Sequence, residues 1–448
     1  VNRRQSIRAL AALLLLSFVA FPADAYDTGN LGQADIRVPD GSAAAAIFLF
    51  SDMDGWNWQE RRLAYALRDQ GAAVIGVDLP SYLARIEADE GECAYLVWDM
   101  ETLSHAVQRA TGGAAYHSPI VAGVGEGAAL ALAIVGQTPA ATIGRTVAAA
   151  PSAEVPLRKP LCGAAPTATS PTGAAYRLPD SLPGAVEVLP AESPVQAWNA
   201  LGRRLARLVA RAAYEDDDAP PVVELSVRPA FDTLAIVYSG DGGWRDLDKS
   251  IAEYLQAHGV PVVGVDSLRY FWTKKPPKDA AADLAGLIET YTGDWKVKRV
   301  MLVGYSFGAD VLPAMINLLP RADHARIVQI SLLGLGAATD FEISVGGWVG
   351  TDDDEGVKTV PELRRIDPRL IQCLYGEDDG DAACPRLEPL GAEVIKTSGS
   401  HHFDGDYDAL AEKILDGLKR RSGNQGQIGF SPSGRRASAT FSVNDTRQ

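Results

Sequence analysis

Gly304-Tyr305-Ser306-Phe307-Gly308 follows the apolar run 300–303 and precedes a helix-compatible segment that starts at Ala309. G-x-S-x-G between a strand and a helix is the pattern that lifts a serine hydroxyl off the edge of an α/β sheet as a nucleophile. The glycines are needed because a Cβ at either position would crowd the strand or the helix behind the serine. The same turn aims the Phe307 N–H at the place where an oxyanion would form. A serine so presented needs an acid and then a histidine in that chain order, each in a loop after a later strand. The apolar run 370–375 ends in Gly376-Glu377-Asp378-Asp379-Gly380-Asp381, and the run 393–397 ends in Ser398-Gly399-Ser400-His401-His402-Phe403. Asp379 is favoured as the acid, with Asp378 next and Asp381 behind it; the remaining carboxylates make an exposed acidic loop. His401 is favoured as the base, since small residues precede it and Phe403 follows, with His402 as the next candidate. The histidine would take the serine proton and return it to the leaving group, while the carboxylate fixes the imidazole tautomer. A second oxyanion donor is expected from the loop Ser239-Gly240-Asp241-Gly242-Gly243-Trp244, with Gly240 and Asp241 as the candidates. A phosphate cradle would need a Lys-Ser/Thr pair that this loop lacks.

The elements that must carry these residues are legible twice. Residues 46–56 read as a strand and a loop ending in Trp56, followed by a helical stretch and a second strand ending in Asp78. Residues 235–244 repeat this up to Trp244, and the next strand ends in Asp266. Trp56 to Trp244 and Asp78 to Asp266 share one offset, 188 residues, the mark of an internal repeat of domain size. The elbow also recurs, as Gly123-Val124-Gly125-Glu126-Gly127, with Gly125 where Ser306 stands. Glycine cannot attack a carbonyl, and none of the six histidines lies near the end of the first copy. The first copy therefore reads as a degenerate hydrolase fold.

Apolar runs alternating with amphipathic helix-length segments predict α/β architecture with mostly parallel sheets, as tandem α/β-hydrolase-like domains. In the second copy strands are expected near 234–238, 261–265, 300–303, 327–333, 370–375 and 393–397. Helices are expected near 246–256, 280–290, 309–319 and 407–419, with a kink at Pro313. The division is a signal peptide over 1–25, a degenerate domain over 26–213, a linker over 214–221, a catalytic domain over 222–421 and a disordered tail over 422–448. Residues 164–180, rich in Pro, Thr, Ser and Ala, read as a loose stretch. A segment over 339–360, Gly-rich and then acidic, reads as a mobile lid.

Arg3, Arg4 and Arg8 precede an apolar run over 9–21 and an A-x-A site at Ala23-Asp24-Ala25, the pattern of a cleavable secretory signal. No later run is long enough to span a bilayer, so an exported, periplasmic protein is expected. The formal net charge of −15 becomes two units more negative when that segment leaves. Such acidity argues against nucleic acid and against a basic membrane-adhering patch, and favours a cationic substrate. Four cysteines fall two per half, and in an oxidising compartment the expected pairs are Cys93–Cys162 and Cys373–Cys384. No spacing resembles a zinc site, and neither a metal nor another cofactor is expected.

Taken together, Ser239–Trp244, the stretch 265–272, the elbow 304–310 and His401-His402-Phe403-Asp404-Gly405-Asp406 resemble the AcvB/VirJ family. The resemblance covers the second copy throughout, and the extra N-terminal half is similar to that of the longer AcvB form. It implies an exported bacterial serine esterase that hydrolyses aminoacyl-phosphatidylglycerol, chiefly lysyl-phosphatidylglycerol. That is a membrane phospholipid substrate, and the resemblance also implies a link to virulence and to type IV secretion-system proteins as partners. Under that implication Asp310, Asp241 and Asp266 are candidate contacts for the lysyl ammonium. Trp272, with Lys274 and Lys275, is a candidate lipid-facing rim. The alternatives are an esterase of other substrate and a non-catalytic accessory protein of secretion.

Overall fold

The computed structural model describes residues 26, 28–113, 115–138, 142–178, 182, 184–213, 220–343 and 356–422. The strands of the first half are β1 (Asp35–Arg37), β2 (Ala45–Phe50), β3 (Ala72–Val77), β4 (Ile120–Val124), β5 (Arg145–Ala149), β6 (Pro166–Thr169), β7 (Ala174–Tyr176) and β8 (Ala185–Leu189). Its helices are α1 (Trp58–Arg68), α2 (Leu79–Ala88), α3 (Val97–Ala110), α4 (Gly125–Val135) and α5 (Pro194–Ala212). Six of the strands form one sheet in the order β1-β3-β2-β4-β5-β8, parallel except for the β1 edge.

The second half adds β9 (Val222–Leu225), β10 (Thr233–Tyr238), β11 (Val262–Val265), β12 (Arg299–Tyr305), β13 (Ile327–Leu333), β14 (Ala338–Thr339), β15 (Val357–Lys358), β16 (Ile371–Gly376) and β17 (Glu393–Thr397). Its helices are α6 (Asp246–Ala257), α7 (Ser267–Tyr270), α8 (Pro277–Asp294), α9 (Phe307–Leu318), α10 (Arg321–His324), α11 (Thr359–Leu363) and α12 (Tyr407–Ser422). Seven strands form the second sheet, β9-β11-β10-β12-β13-β16-β17, again parallel apart from its first edge strand. The two orders coincide strand for strand until the first sheet stops at β8. Among the described residues it has no counterpart of β17, the strand whose end carries His401 and His402.

Both faces of each sheet are buried, which is why the strands read as unbroken apolar runs. In β10, Leu234, Ile236 and Tyr238 face one apolar cluster with α8 and α9, and Ala235 and Val237 face another with α6 and α12. In β2, Phe48 and Phe50 face α2, α3 and α4, while Ile47 and Leu49 face α1 and α5.

The repeat extends to side-chain contacts at the same 188-residue offset. Asp78 accepts the N–H of Trp56 and that of Ser81; Asp266 accepts those of Trp244 and Arg269. Ser51 Oγ accepts the Leu79 N–H at 3.0 Å, and Ser239 Oγ accepts the Ser267 N–H at 2.9 Å. The Trp56 and Trp244 rings lie over Gly76 and Gly264, where a Cβ would fall 2.1 and 2.2 Å from the indole.

Three local expectations are corrected. Residues 164–180 are not simply loose, because β6 and β7 pair there as an antiparallel hairpin. The edge strand β9, a four-residue run directly after Pro220-Pro221, went unforeseen. Helix α8 begins at Pro277, earlier than 280, because proline suits the first helical turn, where an N–H would have no acceptor. Pro313 lies inside α9 as expected. Cys93 is bonded to Cys162, and Cys373 to Cys384. No described helix is long and apolar enough to cross a membrane. The expected signal segment 1–25, most of the expected linker, residues 344–355 of the expected lid and the expected tail from 423 lie outside the described residues.

Candidate active site

Ser306 stands between β12 and α9 with φ +51° and ψ −119°, a conformation that an L-residue adopts only under constraint. The constraint is close packing around it. A Cβ on Gly304 would come within 2.5 Å of the Gly308 carbonyl, and one on Gly308 within 2.3 Å of the Tyr238 carbonyl. The Ser306 N–H is tied to the Leu333 carbonyl at 2.8 Å. Phe307 is the first residue of α9, so its N–H has no acceptor within the helix.

His401 Nε2 lies 2.9 Å from Ser306 Oγ, and His401 Nδ1 lies 2.8 Å from Asp379 Oδ2. The Asp379 side chain is 8 % exposed and the imidazole 39 %, so the carboxylate is enclosed while the histidine opens toward solvent. An imidazole held between a carboxylate and a hydroxyl can take the hydroxyl proton and pass it to a leaving group. The neighbouring candidates lie elsewhere. Asp378 and Asp381 are exposed. His402 points away from Ser306, its Nδ1 2.9 Å from the Tyr305 hydroxyl. Tyr305 also donates to the His401 carbonyl at 3.3 Å and packs against the His401 ring. The loop is turned by Phe403 and Asp404, both at positive φ. Gly334 was missed. Gly334, at φ +59° after β13, leaves the room the imidazole occupies: a Cβ there would fall 2.8 Å from His401 Cε1.

The loop after β10 brings Gly240 against the elbow, where a Cβ would lie 3.1 Å from the Tyr305 ring and 3.7 Å from Ser306 Cβ. Both expected donors, Gly240 and Asp241, lie in this loop, and the Asp248 carboxyl of the first turn of α6 sits behind Gly240. Asp241 is the second residue of the Gly240–Gly243 turn, which the Gly243 N–H closes on the Gly240 carbonyl at 3.1 Å. Asp248 is fully buried, and burial pushes its carboxyl well above the ordinary carboxylate range. Sequence reading did not single it out.

The three residues proposed for substrate contacts fare differently. Asp310, one helical turn past Ser306, is partly exposed, and its Oδ1 accepts the Gly336 N–H at 2.7 Å. Desolvation pushes its carboxyl well up, and the nearby Asp241 adds to that. Asp266 is 7 % exposed and caps α7 while holding the Trp244 N–H, as Asp78 does in the first half. Its role is architectural, which corrects the expectation of an ammonium contact. Trp272 is 1 % exposed, packed against Tyr116 and His105 of the first half. It cannot face lipid from there, and of the expected rim Lys274 alone is exposed. Among the described residues no cluster of three or more His, Cys, Asp or Glu could hold a metal ion.

No curated protein sequence matches the chain. Several solved structures are similar to part of it. Est1E of Butyrivibrio proteoclasticus, solved with ferulic acid bound, is 11 % identical and covers 46 % of this chain and 97 % of its own, at a TM-score of 0.34. A lipase-esterase related protein of Clostridium acetobutylicum is 14 % identical over 44 % of this chain and 98 % of its own, at 0.32. An α/β serine hydrolase of Xanthomonas campestris, described as lacking a lid, is 18 % identical over 44 % and 87 %, at 0.31. Residues 232–422 match the family model described as bacterial virulence protein (VirJ), and this stretch carries the mostly parallel seven-stranded sheet and the elbow.

Proposed function

We propose that the protein is a periplasmic serine esterase acting on the aminoacyl ester of lysyl-phosphatidylglycerol. The observation that carries the reading is the chain of contacts Asp379–His401–Ser306, at 2.8 and 2.9 Å, ending on a serine at positive φ. In the proposed reaction Ser306 Oγ attacks the ester carbonyl carbon and gives its proton to His401 Nε2. The developing oxyanion is met by the N–H groups of Phe307 and Asp241. Collapse breaks the bond to the glycerol oxygen, which leaves as phosphatidylglycerol after taking the proton from His401. Water, deprotonated by His401, then attacks the acyl-enzyme; the bond from the acyl carbon to Ser306 Oγ breaks, His401 returns the proton to Oγ, and lysine leaves.

The substrate class follows from the family resemblance, and the chemistry agrees with it. The chain is strongly acidic, and Asp241 and Asp310 lie on the elbow side of the site. A carboxyl raised by burial, as in Asp310, gains most from a cation placed beside it. Two disulfides fit an oxidising compartment.

The test is release of free lysine from lysyl-phosphatidylglycerol vesicles by the wild type beside Ser306→Ala. Release by the wild type alone supports both nucleophile and substrate. Equal release by the two proteins removes Ser306 from the reaction. Wild-type cleavage of p-nitrophenyl butyrate without lysine release would keep the esterase and discard the lipid. Silence on both substrates would favour an accessory protein of secretion.

A further inference from the structure

The first half lacks a serine at its own elbow, yet it reaches the working one. Glu101 of α3 is 7 % exposed, and its Oε1 and Oε2 lie 2.8 and 2.9 Å from Nη1 of Arg245. Arg245 ends the loop that begins at Ser239 and immediately precedes α6. Its guanidinium lies against Gly242, where a Cβ would come within 2.7 Å of Nη2, Cζ and Nε. Gly242 is the neighbour of Asp241. The buried Asp248 carboxyl of α6 lies behind the same loop, close to Gly240.

The residue choice at 245 is locally unfavourable. Its counterpart 188 positions earlier is Asn57, which caps α1 in a capping box with Glu60. Arg245 makes no side-chain cap to α6, and a cation at a helix N-terminus opposes the helix dipole. A residue that breaks a local rule needs a compensating partner, and here that partner is Glu101, 144 residues away in the other half. Among the described residues no comparable ion pair ties the equivalent loop of the first half across the interface.

We propose that Glu101 is a positioning residue for the reaction of the second half: through Arg245 it fixes the loop 240–245 and so keeps the Asp241 N–H aimed at the oxyanion. The degenerate half then serves as the clamp of its partner's oxyanion loop. This rests on the esterase reading above. Displacing such a donor by a fraction of an ångström is expensive, because its contribution depends on being preorganised.

The test uses the full mature chain carrying Glu101→Gln, Glu101→Ala or, as control, Arg109→Ala. Arg109 also crosses the interface, donating to the carbonyls of Trp272 and Ile343 and stacking on Trp272, but it does not touch the loop. On p-nitrophenyl butyrate, kcat is expected to fall about tenfold in Glu101→Gln and about a hundredfold in Glu101→Ala, with KM within about twofold. Affinity for phenylboronic acid, whose serine adduct is tetrahedral, should fall by the same factors. Amide exchange should accelerate across 239–247 in both Glu101 variants. Arg109→Ala should lower Tm with kcat and loop exchange unchanged. Wild-type kcat and exchange in Glu101→Ala would overturn the proposal, and so would equal losses in Arg109→Ala, which would make Glu101 one interface contact among others. If the wild type cleaves no ester, the esterase reading fails by itself, and loop exchange alone decides whether Glu101 holds the loop.

Discussion

The Asp52 carboxylate occupies the space into which a side chain at Gly125 would have to project. A Cβ on Gly125 would fall 2.4 Å from Asp52 Oδ2, and Asp52 Oδ1 accepts the Glu126 N–H at 3.1 Å. Glu126 stands where Phe307 stands in the second half. The first elbow has therefore lost its nucleophile, and its oxyanion donor is plugged from within.

Restoring the serine alone should not restore a site. Gly125→Ser places a side chain at positive φ and against Asp52, and is expected to destabilise the protein by roughly 2 kcal/mol. Asp52→Gly should recover part of that loss in the double variant, because the obstructing carboxylate is gone. Neither variant should add turnover on top of Ser306→Ala, since no described strand supplies the first half with a histidine loop. Urea melts and ester assays in the Ser306→Ala background check both points.

The adjacent histidines should separate cleanly. Ser306→Ala and His401→Gln are expected to lower kcat by about four orders of magnitude or more, and Asp379→Asn by three to four orders, roughly the effects such substitutions have in other triads. His402→Gln loses a hydrogen bond to Tyr305 and should cost less than about tenfold. The four kcat values on one activated ester decide the assignment, and a His402 effect as large as that of His401 would overturn it.

The two disulfides should differ in what they protect. Cys373–Cys384 brackets the loop that carries Asp379, its ends 11 positions apart in sequence, whereas those of Cys93–Cys162 are 69 apart. Loop-closure entropy gives about 3 kcal/mol for the short bridge and about 4 for the long one. Replacing the short pair by alanines should nonetheless cost more kcat, because it frees the acid. Replacing the long pair should cost more Tm. Melting curves and kcat for the two double variants test the crossing.

The elbow and its acid and histidine loops were legible because they rest on local spacing: a strand end fixes which residues can reach the sheet edge. The repeat was legible because one offset held across several elements. What sequence left open or misread depends on contacts between distant segments. His401 and His402 differ by one position, and it is Gly334 and the left-handed Phe403 and Asp404 that decide which ring meets Ser306. Trp272 looked like a membrane-facing aromatic because the residues that bury it, Tyr116, His105 and Arg109, come from the other half. Asp266 could have been read as a cap from its match to Asp78. The pairing of Glu101 with Arg245 was not legible, because no spacing relates a residue of α3 to one in a loop of the other half.

The interface should also respond to acid through His105. Its ring packs edge-on to Tyr116 and Trp272, and its Nε2 is buried with no hydrogen-bond partner among the described residues. Burial is the main cause that lowers its pKa from 6.5 to about 4, and Arg245 and Arg109 push the same way. A histidine held neutral in the native state binds fewer protons than it does when unfolded, so stability rises with pH across that window. Its contribution is present in full above about pH 6.5 and is lost progressively as pH falls toward 4. It is then on the order of 2–3 kcal/mol smaller. His105→Phe keeps the packing and removes the titration. Urea melts at pH 4.5, 5.5 and 7 should show the wild type losing stability relative to His105→Phe as pH falls. A constant difference between the two proteins at all three values would mean that His105 titrates alike in the folded and unfolded states, and that its burial carries no acid sensitivity.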